Sequence, residues 1–175
     1  MFDIPIPWAD EVYRQLLQFY LFECPTPELS ARGIPFADLG WETTEDRAKL
    51  KKSMLEAASE NLVYKSCETK AEVAVAAAAL TIGDETVLST ERVVFYIGER
   101  HVMDALYAHI RNAFAHGRFL VSGHGNDAIY VLEDLDRSGV LTARLILAAS
   151  TLTSWMRIVR GTPTALGTPS AGMAT

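Results

Sequence analysis

Apolar residues recur at helical intervals over five stretches of this 175-residue chain and alternate over a sixth. Residues 8 to 23 predict a first helix, with Ala9, Val12, Leu16, Phe19 and Tyr20 on one face. Pro25 and Pro27 end it, because proline lacks the N–H that a helix interior needs. A loop carrying Gly33, Pro35 and Gly40 leads to a second helix, roughly 43 to 62. Thr43 or Thr44 caps it, Glu45 and Asp46 suit its first turn, and Leu50, Met54, Leu55, Ala58 and Leu62 form its buried face. Thr69 and Glu72 have the spacing of a capping box ahead of an alanine-rich helix, Ala71 to Leu80, which Gly83-Asp84 breaks. Residues 92 to 97 are strand-like in composition, though their role is open. A helix from about Glu99 to His116 follows, with Met103, Leu106, Ile110 and Ala113 as its apolar stripe and Gly117 as its stop.

After Gly117 the period changes. Phe119 to Val121, Ala128 to Leu132 and Val140 to Leu147 are separated by turn compositions and predict a small antiparallel meander. A last helix runs from about Thr151 to Arg160, with Leu152, Trp155, Met156 and Val159 at i, i+3, i+4 and i+7. Gly161 and Pro163 stop it. The pattern predicts a mainly α protein, a helical bundle with a β-meander inserted before the last helix. One domain would span 1–161, and the Gly/Thr/Ala/Ser/Pro-rich residues 162–175 would be a disordered tail.

Composition is that of an ordinary soluble domain, 49% apolar and 22% charged. Asp3, Pro5, Pro7 and Asp10 interrupt any apolar leader, and the most apolar run, Val73 to Ile82, is too short to span a bilayer. The two cysteines, Cys24 and Cys67, have no partners at metal spacing and predict buried reduced thiols in a cytoplasmic protein without a membrane partner. Net charge is −6, which argues against a general nucleic-acid coat protein. It is uneven, however: residues 1–100 carry 10 basic against 17 acidic groups, and residues 101–175 carry 6 against 5. A local basic site is all that an enzyme acting on an anion needs.

Chemical capacity concentrates at the end of the 99–116 helix, in His109-Ile110-Arg111-Asn112-Ala113-Phe114-Ala115-His116-Gly117-Arg118-Phe119. Arginine, an amide and an imidazole at one helix terminus form a phosphate-handling set. A helix C-terminus favours cationic imidazole, so His116 suits proton transfer. Arg111, planar and permanently charged, suits the non-bridging oxygens of a phosphate. Asn112 would orient the imidazole or bind ribose. Arg111 and His116 lie about 140° apart around an ideal helix, whereas His109, Asn112 and His116 share a face. The competing structural readings are an imidazole bonded to the last helix carbonyls and an arginine paired with Asp104 or a neighbouring helix. His101 and His124 read as exposed, and Trp8, Trp41 and Trp155 as core.

Arg111, Asn112, three further residues and His116, with Gly117 after them, resemble the motif of the HEPN superfamily (higher eukaryote and prokaryote nucleotide-binding domains) over about a dozen residues. The resemblance implies a HEPN-like bundle that dimerises with two such helices facing, so that both arginines and both histidines line one groove. It implies a metal-independent endoribonuclease, a toxin or defence component, cutting RNA by 2′-hydroxyl attack with no cofactor. Arg111, Asn112 and His116 would be catalytic; Arg118 would contact substrate by extending the phosphate-binding surface, and His109 would contact substrate or stand behind the site or at an interface. An antitoxin or a nucleotidyltransferase would be a further partner. Some HEPN toxins carry, two places after the histidine, a tyrosine that such a transferase modifies; here that position is Arg118, which removes the acceptor. The alternative is a non-catalytic HEPN-like module that binds a nucleotide, RNA or a partner protein.

Overall fold

The computed structural model describes residues 10–78 and 90–161, and four of its α-helices begin where side chains satisfy helix-end amides. Asp10 caps α1 (Glu11–Gln18) by accepting from the Val12 and Tyr13 amides at 2.9 and 3.2 Å. Its other oxygen accepts from the Gly125 amide at 2.7 Å, tying the start of α1 to the loop after β3. α1 continues as a π-helical turn, Phe19–Glu23, before Pro25. α2 (Thr44–Glu56) opens on a full capping box, in which Thr43 and Asp46 each satisfy the other's backbone amide. Thr69 and Glu72 do the same for α3, described over Lys70–Ala78. α4 (Val102–Ala115) takes His101 as its N-cap and ends at Gly117, whose φ of 63° only glycine adopts cheaply. The Arg118 amide reaches back to the Ala113 carbonyl and the Gly117 amide to Phe114, which closes the helix as a Schellman turn.

The strands are β1 (Val63–Cys67), β2 (Arg92–Tyr96), β3 (Phe119–Ser122), β4 (Ile129–Leu135) and β5 (Leu141–Ala148), and α5 (Ala149–Arg160) follows β5 directly. They form one five-stranded sheet in the order β1-β2-β5-β4-β3. β1 pairs parallel to β2, with α3 in the connection between them; the other neighbours are antiparallel. Alternation along the strands divides the apolar residues between two faces. Val93, Phe95, Tyr130, Leu132, Leu145 and Leu147 face the main core, which α1, α2, α4 and α5 complete. Val94, Val131, Ile146 and Cys67 face the other way, beneath Val73 of α3.

This architecture corrects the expected mainly α bundle: the fold is mixed α/β, a sheet with helices on both faces. The meander exists as expected, but it is part of a larger sheet. The second helix stops at Glu56 instead of running to residue 62, and β1 begins at Val63. β1 is short, and Val63 and Lys65 on its outward side are exposed, so it lacks a clear apolar signature. β2 reads correctly as a strand, but its antiparallel partner β5 lies about fifty residues further on, a pairing that no local pattern reveals. Trp8, the ends expected near Leu80 and Gly83-Asp84, and the 162–175 tail lie outside the described residues.

Helix α5 is held by aromatic donors. Tyr20 Oη donates to the Leu152 carbonyl at 3.0 Å and Tyr107 Oη to the Trp155 carbonyl at 3.2 Å. Trp41 Nε1 donates to Val159 O at 2.8 Å, and Trp155 Nε1 donates to Met54 O at 2.7 Å. Val159 and Met54 sit in the last turns of α5 and α2, where carbonyls lack an intrahelical partner. Both tryptophans are therefore core residues, as expected, and also helix terminators. No helix among the described residues is long and apolar enough to cross a membrane.

The β4–β5 turn depends on Asp136, whose Oδ1 accepts from the amides of Ser138 and Val140 at 2.9 and 3.0 Å. Its Oδ2 meets Lys70 of α3. Lys70, then the Ser138 hydroxyl and the Val140 amide, hold the Asp136 carboxyl well below the ordinary aspartate value. A carboxyl depressed in the folded state contributes stability that is complete above its unfolded value, about 3.9, and is lost as pH falls toward its folded value. Melting temperature followed from pH 7 into the acid range should therefore fall less steeply in Asp136→Asn than in wild type. Parallel acid limbs would show that the carboxylate's partners contribute nothing.

Candidate functional site

The last turns of α4 lie over the inner face of β4, and this contact sorts the motif residues. Inward positions on β4 run Tyr130, Leu132, Asp134, so the third places a carboxylate under the helix, 4% exposed. His109 faces it: Nδ1 lies 2.7 Å from Asp134 Oδ2 and Nε2 lies 2.8 Å from the Tyr96 carbonyl at the end of β2. A carbonyl only accepts, so Nε2 carries a hydrogen, and one proton is shared between Nδ1 and the carboxylate. Asn112, one turn on, donates Nδ2 to the same Asp134 oxygen at 3.2 Å. Its Oδ1 accepts from Arg111 Nη1 at 3.3 Å. A continuous chain of polar contacts thus runs from the Tyr96 carbonyl through His109, Asp134 and Asn112 to Arg111.

Arg111 is half-buried, and its Nε is buried without a hydrogen-bond partner among the described residues. The pairing with Asp104 that competes with a functional role is absent, because Asp104 binds Arg47 at 2.7 Å. That arginine is itself fixed over the Phe36 ring and by the Trp41 carbonyl. An arginine whose donors are mostly unspent is suited to an oxyanion.

His116 is the C-cap of α4 and is exposed; its backbone amide bonds the Asn112 carbonyl, while its imidazole has no hydrogen-bond partner among the described residues. Among the described residues it makes none of the bonds to the last helix carbonyls that the structural reading describes. α4 is regular through Ala115, so Arg111 and His116 keep their offset of about 140°, with Asn112 between them. The structure brings Arg111 and Asn112 into contact but leaves His116 apart from Arg111 on this chain.

The two expected substrate contacts divide. Arg118, half-exposed just before β3, donates Nη1 to the Leu135 carbonyl at 3.3 Å, and its other side-chain donors have no partner among the described residues. His109 has both ring nitrogens engaged and is 9% exposed, so it serves the interior and not a substrate. Sequence reasoning missed Asp134. The signal was present: an aspartate stands at an inward position in the alternating run Tyr130 to Leu135, opposite a helix with His109 and Asn112 on one face.

The remaining candidates are structural. His101, expected exposed, is half-buried and accepts from the Met103 amide at 3.2 Å; burial and then Arg47 push its pKa below the ordinary histidine value. His124 is exposed. Cys24 and Cys67 are free and buried. Burial raises the Cys24 thiol to about 12, which keeps it protonated and unreactive at neutral pH. Among the described residues no three His, Cys, Asp or Glu side chains are grouped to hold a metal ion. No family model, curated protein or solved structure matches the chain.

Proposed function

We propose that this protein cleaves RNA by attack of the RNA's own 2′-hydroxyl, using the chemistry implied by the likeness of Arg111, Asn112 and His116 to the HEPN motif. The observation that carries the reading is the contrast within α4: Asp134 holds Asn112 from beneath and Asn112 holds Arg111, while His116, one turn on, is an exposed imidazole with no hydrogen-bond partner among the described residues. The chemistry belongs to the helix terminus and its polar groups, which here lie over a five-stranded sheet.

The reaction needs a base for the 2′-hydroxyl proton, an acid for the departing 5′-oxygen, and donors for charge developing on phosphorus. A bond forms from the 2′-oxygen to phosphorus as the bond from phosphorus to the 5′-oxygen breaks. His116 takes the first proton or supplies the second. Arg111 holds the non-bridging oxygens, which would also give its unspent donors an acceptor. Arg118 extends the cationic surface. One imidazole cannot be base and acid in the same step, and Arg111 points away from His116, so a second copy of the chain completes the site with its own pair. Such an enzyme acts in the cytoplasm, as a toxin or defence component.

The purified protein should run as a dimer and leave products ending in 2′,3′-cyclic phosphate. Cleavage should persist in excess EDTA, and a DNA analogue lacking the nucleophile should survive intact. Binding of RNA without any cleavage would transfer the site to a non-catalytic binding module. Complete chelator sensitivity would replace the mechanism with a metal-dependent one.

A further inference from the structure

A carboxylate placed among the apolar inward residues of β4 is tolerated only with partners that replace water, and Asp134 has two on the same oxygen. Each reads a different property of it. His109 shares a proton with it and is anchored behind by the Tyr96 carbonyl. Asn112 must present its NH₂ end, because an ionised carboxylate only accepts. The other end of the amide, Oδ1, then has to face away from Asp134, toward Arg111, where a guanidinium needs an acceptor.

We propose that Asp134 is the positioning residue of the site: its charge selects the orientation of the Asn112 amide, and that orientation determines whether Arg111 is held. The proposal rests on the RNA-cleaving reading for its functional meaning, but the link from Asp134 to Arg111 stands on geometry alone. His109 belongs to the same device. With its Nε2 hydrogen spent on Tyr96, it turns Nδ1 to the carboxylate and fixes the side chain between β4 and α4.

Asp134→Asn preserves shape and removes the charge. If the new amide places oxygen where Oδ2 stood, a doubly protonated His109 is left buried without a counterion. If it places nitrogen there, it donates to neutral His109 and faces the NH₂ of Asn112, donor against donor. Asn112 then turns its oxygen toward residue 134 and its NH₂ toward Arg111, which loses its acceptor. The paired exchange Asn112→Asp with Asp134→Asn repairs this. The amide at 134 then donates to His109 and to the carboxylate at 112, whose second oxygen accepts from Arg111.

The test is side-chain NMR of Arg111 in the full-length protein, read as the order of its Nε–Hε group, with thermal melting to confirm the fold. Wild type should show an ordered Arg111, Asp134→Asn a mobile one, and the double variant an ordered one again. Where the wild type cuts RNA, Asp134→Asn should cut up to about 10²-fold more slowly, the scale of loss from a misplaced reacting group. If Asp134→Asn does not fold, a folded double variant with ordered Arg111 still supports the proposal. Arg111 equally ordered in Asp134→Asn overturns it, as does Arg111 mobile in a folded double variant. So do failure of both variants to fold and unimpaired cleavage by an Asp134→Asn protein with mobile Arg111. A wild type that shows the ordered Arg111 but leaves RNA uncut removes the RNA-cleaving reading and leaves the positioning role intact.

Discussion

His116→Ala should lower RNA cleavage by about 10²–10⁴-fold, the range that a positioned proton-transfer group contributes. Its melting temperature should stay within about 2 °C of wild type, because substitutions away from packed or paired sites cost roughly 0.5 kcal/mol or less. Both halves follow from the same facts. The imidazole is exposed and makes no side-chain hydrogen bond among the described residues, so its loss removes no packing. The helix stop survives because Gly117 and the Ala113 and Phe114 carbonyls supply it through the backbone. Arg111→Lys makes the complementary comparison: it keeps a charge but loses the planar fork, so cleavage should fall although the local charge is unchanged. Cleavage at full rate by folded, dimeric His116→Ala would falsify the assignment of this residue. A variant that fails to fold would return His116 to a structural role.

The largest effect on stability is expected at Trp155. Its side chain is fully buried, and Trp155→Ala should cost about 3–5 kcal/mol, the usual range for deleting a buried aromatic. For a domain of this size that corresponds to roughly 6–20 °C in melting temperature. Trp155→Phe separates the two contributions. It retains most of the ring but leaves the Met54 carbonyl without its donor, a loss of about 1–3 kcal/mol. Calorimetry or a thermal melt should therefore rank wild type, Phe and Ala in that order. An alanine variant melting within about two degrees of wild type would show that α5 is not held in the core as described.

The helix caps were legible because each is a contract among residues a few places apart. Thr69 with Glu72 sits where its spacing predicts, Gly117 stops its helix as expected, and of the two threonines offered as the cap of the second helix the structure selects Thr43, with Asp46 as its partner. The strands of the meander were legible for the same reason, since short turns join them. What the pattern could not show is adjacency across long stretches of chain. β2 joins β5, and β1 joins β2 in parallel, through pairings with no signature in either segment alone. The site divides along the same line. Arg111, Asn112 and His116 fall within six residues and announce themselves, whereas Asp134 acquires its meaning only when β4 is laid beneath α4. His109 shows the converse: beside a motif it reads either as a substrate contact or as a residue behind the site, and only its burial against a carboxylate favours the second.

Asp10 couples two parts of the molecule that are 115 residues apart in sequence. One oxygen of its carboxylate holds the first amides of α1 and the other holds Gly125, and the Gly125 contact is the main reason its pKa lies below the ordinary aspartate value. Solvent hydrogen exchange at Val12, Tyr13 and Gly125 is consequently gated by a single opening. When the carboxylate lets go, the helix start frays and the loop after β3 swings free together, so these three amides should exchange as one cooperative unit although α1 and β3 are never neighbours along the chain.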